Sequence, residues 1–226
     1  MAMMDLHTRI RWRNRLLALF PCLSEWNEFR LLRSAQKKWR REGWQAPPPY
    51  FVRRAMILAE AKRIGAELFI ETGTFLGDTV WQFRHDFGQI VTIEVEPRLA
   101  QLAKERFRRL SHVRVIEGDS AQEMTDLCAQ AERPSVIFLD GHYSHGITGM
   151  GEQECPILQE LEAIAVHLPV PAAVIIDDAR LFGRDPAYPS IEKIEEFVRR
   201  QEGWRMRLEN DAMVLELPGR VDPKAS

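Results

Sequence analysis

The sequence predicts an α/β protein: a doubly wound, mostly parallel sheet closed by an antiparallel hairpin, with helices ahead of it. Three observations lead there. From residue 67 onward, short apolar runs of strand length alternate with longer helical patterns, as successive βαβ units do. Several of the runs are strongly apolar and end in an acid, as Leu68 to Glu71 and Val136 to Asp140 do. The last two runs are separated by Glu209-Asn210-Asp211, a hairpin spacing too short for a crossover.

Taken in order, residues 7 to 45 form a basic region with helical spacing, in which Trp26, Phe29 and Leu32 recur at three-residue steps. Pro47-Pro48-Pro49 breaks this pattern and marks a boundary. Residues 51 to 64 read as an amphipathic helix whose inner face would carry Phe51, Val52, Ala55, Met56, Ala59 and Ile64. Strands are predicted over 67–71, 90–95, 113–117, 135–140 and 172–177, and helices starting near 76, 97, 120, 155 and 189. Trp204 to Leu208 and Ala212 to Glu216 form the closing hairpin. The chain thus divides into a basic helical extension over 1–50, a main domain over 51–217 and a tail over 218–226.

Composition narrows the function classes. The formal net charge of -2 gives no bulk attraction to nucleic acid. Residues 1 to 50 nevertheless carry a balance of +6, against -8 for the remainder. Cys22, Cys128 and Cys155 are far apart and form no C-x-x-C pair, which fits a reducing compartment rather than a disulfide framework or zinc site. With no signal peptide and no stretch near the ~18 apolar residues of a membrane span, a cytoplasmic location is expected. An amphipathic extension must bury its stripe somewhere, so residues 1 to 50 are expected to cover the site edge and form a homodimer contact.

The most informative run is Glu71-Thr72-Gly73-Thr74-Phe75-Leu76-Gly77-Asp78-Thr79. A strand ends in a carboxylate, two glycines follow four positions apart, and a helix then begins. Such a turn lets the backbone approach a ligand and aims helix N-terminal amides at it. Glu94 ends the next strand, 21 positions after Gly73, which suits a carboxylate gripping ribose hydroxyls. The phosphate-binding G-x-x-x-x-G-K-[ST] pattern is absent, since position 78 is Asp, and Phe75 breaks the dinucleotide fingerprint G-x-G-x-x-G. Glu71 and Asp78 would repel a pyrophosphate but accept a cationic ligand such as S-adenosylmethionine.

On these residues the chain resembles the class I S-adenosylmethionine-dependent methyltransferases over about residues 51 to 217. The pattern E-x-G-x-F-x-G-x-T is most similar to the metal-dependent branch that includes catechol O-methyltransferase. The run Asp140-Gly141-His142-Tyr143-Ser144-His145 resembles the D-G-x-H-x-Y segment of bacterial sugar- and antibiotic-tailoring O-methyltransferases. The resemblance implies the seven-stranded Rossmann-like methyltransferase fold and a cofactor site comprising Glu71, Gly73, Thr74, Gly77, Thr79, Glu94, Asp119, Ser120 and Asp140. Asp119 and Ser120 would flank the adenine, and both are also good helix N-caps. Asp140, Asp177 and Asp178 match the positions that hold Mg²⁺ in the metal-dependent branch. Carboxylates converging at one sheet edge would in any case need something cationic between them.

The catalytic candidates are His142, His145 and Asp140; a loop histidine can take a hydroxyl proton near neutral pH. The catechol-type Lys base has no counterpart, since no Lys occurs between 105 and 192. The glycines at 146, 149 and 151 suit a lid, and Arg180, Phe182, Arg184 and Tyr188 an acceptor pocket. The function expected is Mg-assisted O-methylation of a small hydroxylated metabolite or sugar. One rival is a nucleic-acid methyltransferase that uses the basic extension as a clamp, disfavoured by the lack of an N-P-P-Y or D-P-P-Y motif. The other is a non-catalytic binding module on the cofactor fold, disfavoured by the retained Glu71, Glu94, Asp140, Asp177 and Asp178.

Overall fold

In a computed structural model, residues 37–39, 41–43, 46–140 and 155–219 are described. The chain order is α1 (Tyr50–Ile64), β1 (Leu68–Thr72), α2 (Asp78–Phe83), β2 (Gln89–Glu94), α3 (Pro97–Phe107), β3 (Val113–Glu117), α4 (Ser120–Ala129), β4 (Ser135–Leu139), α5 (Ile157–His167), β5 (Ala172–Ile176), a 3₁₀ turn (Ala179–Leu181), α6 (Ile191–Arg199), β6 (Arg205–Glu209) and β7 (Ala212–Leu217). Every predicted strand is present, within about one residue at its ends.

The seven strands lie in the order β3-β2-β1-β4-β5-β7-β6. β1 to β5 pair in parallel, and β7 runs antiparallel to both β5 and β6. The chain leaves β1 toward β2 on one side and returns to place β4 on the other, so the crevice between the β1 and β4 ends is the topological switch point where α/β sheets bind ligands. β1, β4 and β5 are buried along their whole length, because helices cover both faces.

The period of two along each strand sorts residues into two cores. Ile70, Val91, Ile137, Val174 and Leu215 meet Met124 of α4, Leu161 and Ile164 of α5 and Ile194 of α6. Phe69, Ile90, Val136, Phe138 and Ile175 meet Met56 and Ile57 of α1, Val80 and Phe83 of α2, and Phe107 of α3. Phe69, Phe83 and Phe87 form a ring cluster with centroids 4.9 to 5.7 Å apart.

The predicted inner face of α1 needs correction. Met56, Ile57, Glu60 and Ala61 are buried, whereas Ala55 and Ala59 are exposed. An acidic residue turns the stripe: Glu60 is buried because Arg207 reaches one of its oxygens at 2.6 Å and Arg63 the other at 2.8 Å. A hydrophobic count alone places Glu60 in solvent. Of the extension, the described residues show Trp39 packed edge-on against Phe51, centroids 6.3 Å apart. The expected cover and dimer contact of residues 1–36 lie outside the described residues. Among the described residues no helix is long and apolar enough to cross a membrane.

Candidate functional site

The turn after β1 is held mainly by its own backbone. The amides of Gly73 and Thr74 both donate to the Ile93 carbonyl, at 3.0 and 3.1 Å, which extends the β1–β2 pairing past the strand end. The Gly77 amide donates to the Thr74 carbonyl at 2.7 Å and closes the loop. Gly77 stands at φ 74°, and a Cβ there would lie 2.7 Å from the Phe107 ring, so both conformation and space require glycine.

Phe75 also has positive φ, at 47°, an uncommon conformation for a bulky residue. That conformation presents its amide to the Glu94 Oε2 at 2.7 Å, while the Glu96 amide donates to Oε1 at 3.0 Å. Glu94 is therefore aimed at the mouth of the turn with one donor on each oxygen, and each oxygen keeps acceptor capacity for a ligand hydroxyl. Burial raises its pKa, against hydrogen bonds from the Glu96, Phe75 and Val95 amides.

Beneath the turn, Thr92 donates to Glu71 Oε2 at 2.6 Å, and Thr74 and Thr92 hydroxyls are 2.6 Å apart. Thr79 also hydrogen-bonds the Glu71 carboxyl, whose pKa burial pushes up to about 8. Glu71, Gly73, Thr74, Gly77, Thr79 and Glu94 thus come together as one unit. Sequence reasoning missed a seventh member, Arg106. From α3 its guanidinium donates to the Leu76 carbonyl and to Asp78 at 2.8 Å, and it packs over Trp81 and Phe107. The charge that would repel a pyrophosphate is therefore half answered from within the fold.

At the end of β3, Asp119 is the N-cap of α4, with its carboxylate accepting from the Ala121 amide at 2.9 Å. Ser120 is buried beside Glu160 of α5. Glu160 is fully buried, and its pKa is pushed up to about 7 by desolvation. The Ser120 and Thr72 hydroxyls lie against it and oppose that rise, yet among the described residues neither carboxylate oxygen of Glu160 nor the Thr72 hydroxyl has a partner in hydrogen-bonding geometry. No sequence pattern pointed to Glu160, which sits at a helical core position.

The other half of the edge is built from charges. Asp177, at the end of β5, is 5% exposed and pairs through Oδ2 with Arg53 of α1 at 2.6 Å. Its Oδ1 is buried with no partner among the described residues. Arg53 also lies over the Phe138 ring, 5.8 Å from its centroid. Asp178 stands in the left-handed region at φ 58° and pairs with Arg180 at 2.6 Å. Arg180 also binds the Asp211 carboxylate, and the Arg180 amide donates to Asp211 at 2.9 Å. Asp211 sits at the β6–β7 hairpin tip, so the hairpin fixes the loop after β5.

Half-buried Asp140 lies close enough to Asp177, Asp178 and Glu71 that desolvation, then those charges, raise its pKa well above the usual range, with Arg53 opposing. The ends of β4 and β5 thus bring the three aspartates to one sheet edge. The magnesium expectation does not fit this donor set: among the described residues no group of three His, Cys, Asp or Glu is placed to hold a metal, and arginines already occupy Asp177 and Asp178. His142 and His145 lie outside the described residues. Of the acceptor-pocket candidates, Phe182 and Tyr188 pack edge-on with centroids 5.2 Å apart. Burial, and after it the Asp178 charge, push the Tyr188 phenol up.

No protein-family model matches the chain, and no curated protein matches it in sequence. Its structure is similar to solved methyltransferases. The O-methyltransferase TomG of Streptomyces achromogenes, solved with S-adenosylmethionine, is 18% identical, with 84% of this chain and 89% of that one covered and a TM-score of 0.54. An O-methyltransferase from Bacillus cereus, solved with S-adenosylhomocysteine, is 14% identical over 82% and 89%, also at 0.54. A candidate rRNA methylase from Clostridium thermocellum is 11% identical over 74% and 96%, again at 0.54. At these identities the likeness establishes the fold: that of the class I methyltransferases.

Proposed function

We propose that the chain is an S-adenosylmethionine-dependent methyltransferase that moves the sulfonium methyl onto a hydroxyl of a small metabolite or sugar. The observation that carries this reading is the β1–β2 turn. It places the Glu94 carboxylate under two backbone amides at the topological switch point of a methyltransferase sheet, with a buried carboxyl, Glu71, directly below. Glu94 suits the ribose hydroxyls. The concentration of acid at the edge suits the positive sulfonium and ammonium groups and disfavours phosphates. The oxygen acceptor is supported by the TomG and B. cereus neighbours, both named as O-methyltransferases, and by the half-buried Asp140, Asp178 and Tyr188 around the β4 and β5 ends.

In this reading the protein contributes mainly position. The turn fixes the cofactor, the β4–β5 edge fixes the acceptor, and the acceptor oxygen displaces the thioether in line. Magnesium assistance has no support in the described carboxylates, and no step is assigned to it. Calorimetric titration with S-adenosylmethionine and S-adenosylhomocysteine tests the cofactor. A panel of hydroxylated sugars and phenols with labelled methyl donor then finds the acceptor. A chain that binds neither cofactor form would end this reading. Affinity for RNA that falls steeply with salt, together with label transferred to RNA, would replace the small acceptor by nucleic acid.

A further inference from the structure

Glu160 is an acid buried without a countercharge. It is 0% exposed, and neither of its carboxyl oxygens meets a cationic side chain among the described residues. Two other buried acids are answered by arginine: Glu60 has Arg63 and Arg207, and Asp177 has Arg53. From the first turn of α5, Glu160 lies against the Thr72 hydroxyl, at the end of β1, and the Ser120 hydroxyl, at the start of α4. Both neighbours belong to the carboxyl edge of the sheet. Thr72 leads into Gly73 and takes the Asp140 amide on its carbonyl at 3.3 Å. Ser120 follows Gly118 and Asp119, and the Gly118 amide donates to the Glu94 carbonyl at 3.0 Å. The carboxyl thus stands below the two walls of the cleft whose rim carries Glu94.

The supply of donors sets its charge. An ionised carboxylate only accepts, and the two hydroxyls beside it carry one proton each. Among the described residues, both carboxyl oxygens and the Thr72 hydroxyl oxygen are buried with no partner in hydrogen-bonding geometry. A bare anion there is strongly disfavoured, whereas a neutral acid can donate to one hydroxyl while accepting from the other. The other titratable groups facing it, Asp119 at the α4 cap and the Cys155 thiol ahead of α5, add no positive charge. Desolvation, with Asp119 adding to it, pushes the carboxyl up to about 7 against the two hydroxyls. We propose that Glu160 is a positioning residue, a neutral acid that ties Thr72 to Ser120 and so holds the β1 and β3 sides of the cofactor cleft at their working separation. Losing the proton removes a donor and leaves a charge that nothing pairs, so ionisation and cofactor binding oppose each other. Affinity is then full at low pH and falls as pH rises through about 7. The identity of the cofactor rests on the methyltransferase reading above; the coupling rests on the buried cluster.

The test uses the full chain and S-adenosylhomocysteine as the probe. Calorimetric titrations from about pH 5.5 to about pH 8.5 compare wild type with Glu160→Gln, which keeps a donor and an acceptor at every pH, and Glu160→Leu, which keeps neither. Melting curves confirm that each sample is folded at the titration temperature. Glu71, Glu94, Asp140 and Asp177 also have raised pKa values and are present in every sample, so the ratio of variant to wild-type affinity isolates Glu160. The expected result is equal affinity of wild type and Glu160→Gln at the acid end, and affinity about fivefold or more in favour of Glu160→Gln at the alkaline end. Near pH 7.5, titrations in buffers of different ionisation enthalpy should show wild type taking up protons on binding and Glu160→Gln taking up fewer. Glu160→Leu should bind about fivefold or more weakly than wild type at the acid end; if it does not fold, the ratio and the proton uptake decide. A ratio that stays constant with pH overturns the proposal, as does a folded Glu160→Leu with wild-type affinity. No binding by any form refutes the methyltransferase reading and this inference with it, whereas binding without the pH-dependent ratio refutes this inference alone.

Discussion

The two halves of the ligand-binding edge are built by different means. At the β1–β2 end, backbone amides and carbonyls, two glycines and the Glu94 carboxylate fix the geometry, mostly within residues 71 to 96, with Arg106 added from α3. At the β4–β5 end, side-chain charges fix it, and their partners come from far along the chain: Arg53 from α1 and Asp211 from the hairpin tip. A backbone-made site is sensitive to conformation. A charge-made site is sensitive to the loss of one partner, because the other is left buried and unpaired.

The largest effect should therefore come from breaking a pair at the charged end. Arg53→Ala leaves Asp177 buried without its partner, a loss on the order of 3 kcal/mol or more. Burial already raises the Asp177 pKa, and without Arg53 it rises further, so the carboxyl can escape the penalty by taking a proton. Urea denaturation should thus show a deficit that is large at pH 8 and shrinks toward pH 5. A deficit independent of pH would assign the loss to packing on Phe138 instead.

At the backbone-made end, Gly77→Ala combines a left-handed conformation, costing about 1–2 kcal/mol, with a Cβ set against the Phe107 ring, costing about 1–3 kcal/mol. The prediction is a fall of roughly 2–4 kcal/mol in stability together with at least a tenfold loss of S-adenosylmethionine affinity. Retained affinity in a folded variant would show that the turn can relax away from Phe107 without moving its amides. Glu94→Gln should act on the ligand more than on the fold. It removes a charged acceptor, worth about 1.5–3 kcal/mol of binding, so calorimetry should show a tenfold or greater loss of cofactor affinity with little change in melting temperature. An unchanged affinity would separate Glu94 from the ribose.

This contrast also explains what was legible in the sequence. The fold was, because strand runs and hairpin spacing are local patterns, and so was the turn, because E-x-G-x-F-x-G-x-T is one contiguous pattern and Glu94 ends the strand that follows it. The aspartates were found one by one at their strand ends. What neutralises them was not, because no pattern around Arg53 shows that its helix delivers it to a residue more than a hundred positions later. Metal and arginine answer the same electrostatic need, and the sequence shows the need alone. Arg106, Glu60 and Glu160 were missed for a related reason. A charged residue at a core position reads as surface until its partner, or its lack of one, is visible.

Glu160 lies at the seam between the halves, touching Thr72 of the β1 end and Ser120 of the β3 end, and it offers the finest test of the contrast. Its carboxyl pKa stands at about 7, above the ordinary 4.5, because desolvation outweighs the two hydroxyls beside it. A raised acid is protonated more readily in the folded chain than in the unfolded one. Its contribution is therefore most favourable below about pH 4.5 and is lost as pH rises through about 7, after which it is constant. At about 1.4 kcal/mol per unit the full swing has an upper limit near 3 kcal/mol, and relaxation around the ion lowers it. Glu160→Gln removes the titration but keeps a neutral donor for the Thr72 hydroxyl, which lacks a partner among the described residues. The variant should match wild type at pH 5 and exceed it by about 1–2 kcal/mol at pH 8, read from urea midpoints at the two pH values. Parallel stability curves for the two proteins would mean that Glu160 is not titrating in this range. The seam would then be held by hydrogen bonds to an ionised carboxylate, like the capping of Glu94, rather than by a neutral acid in an apolar layer.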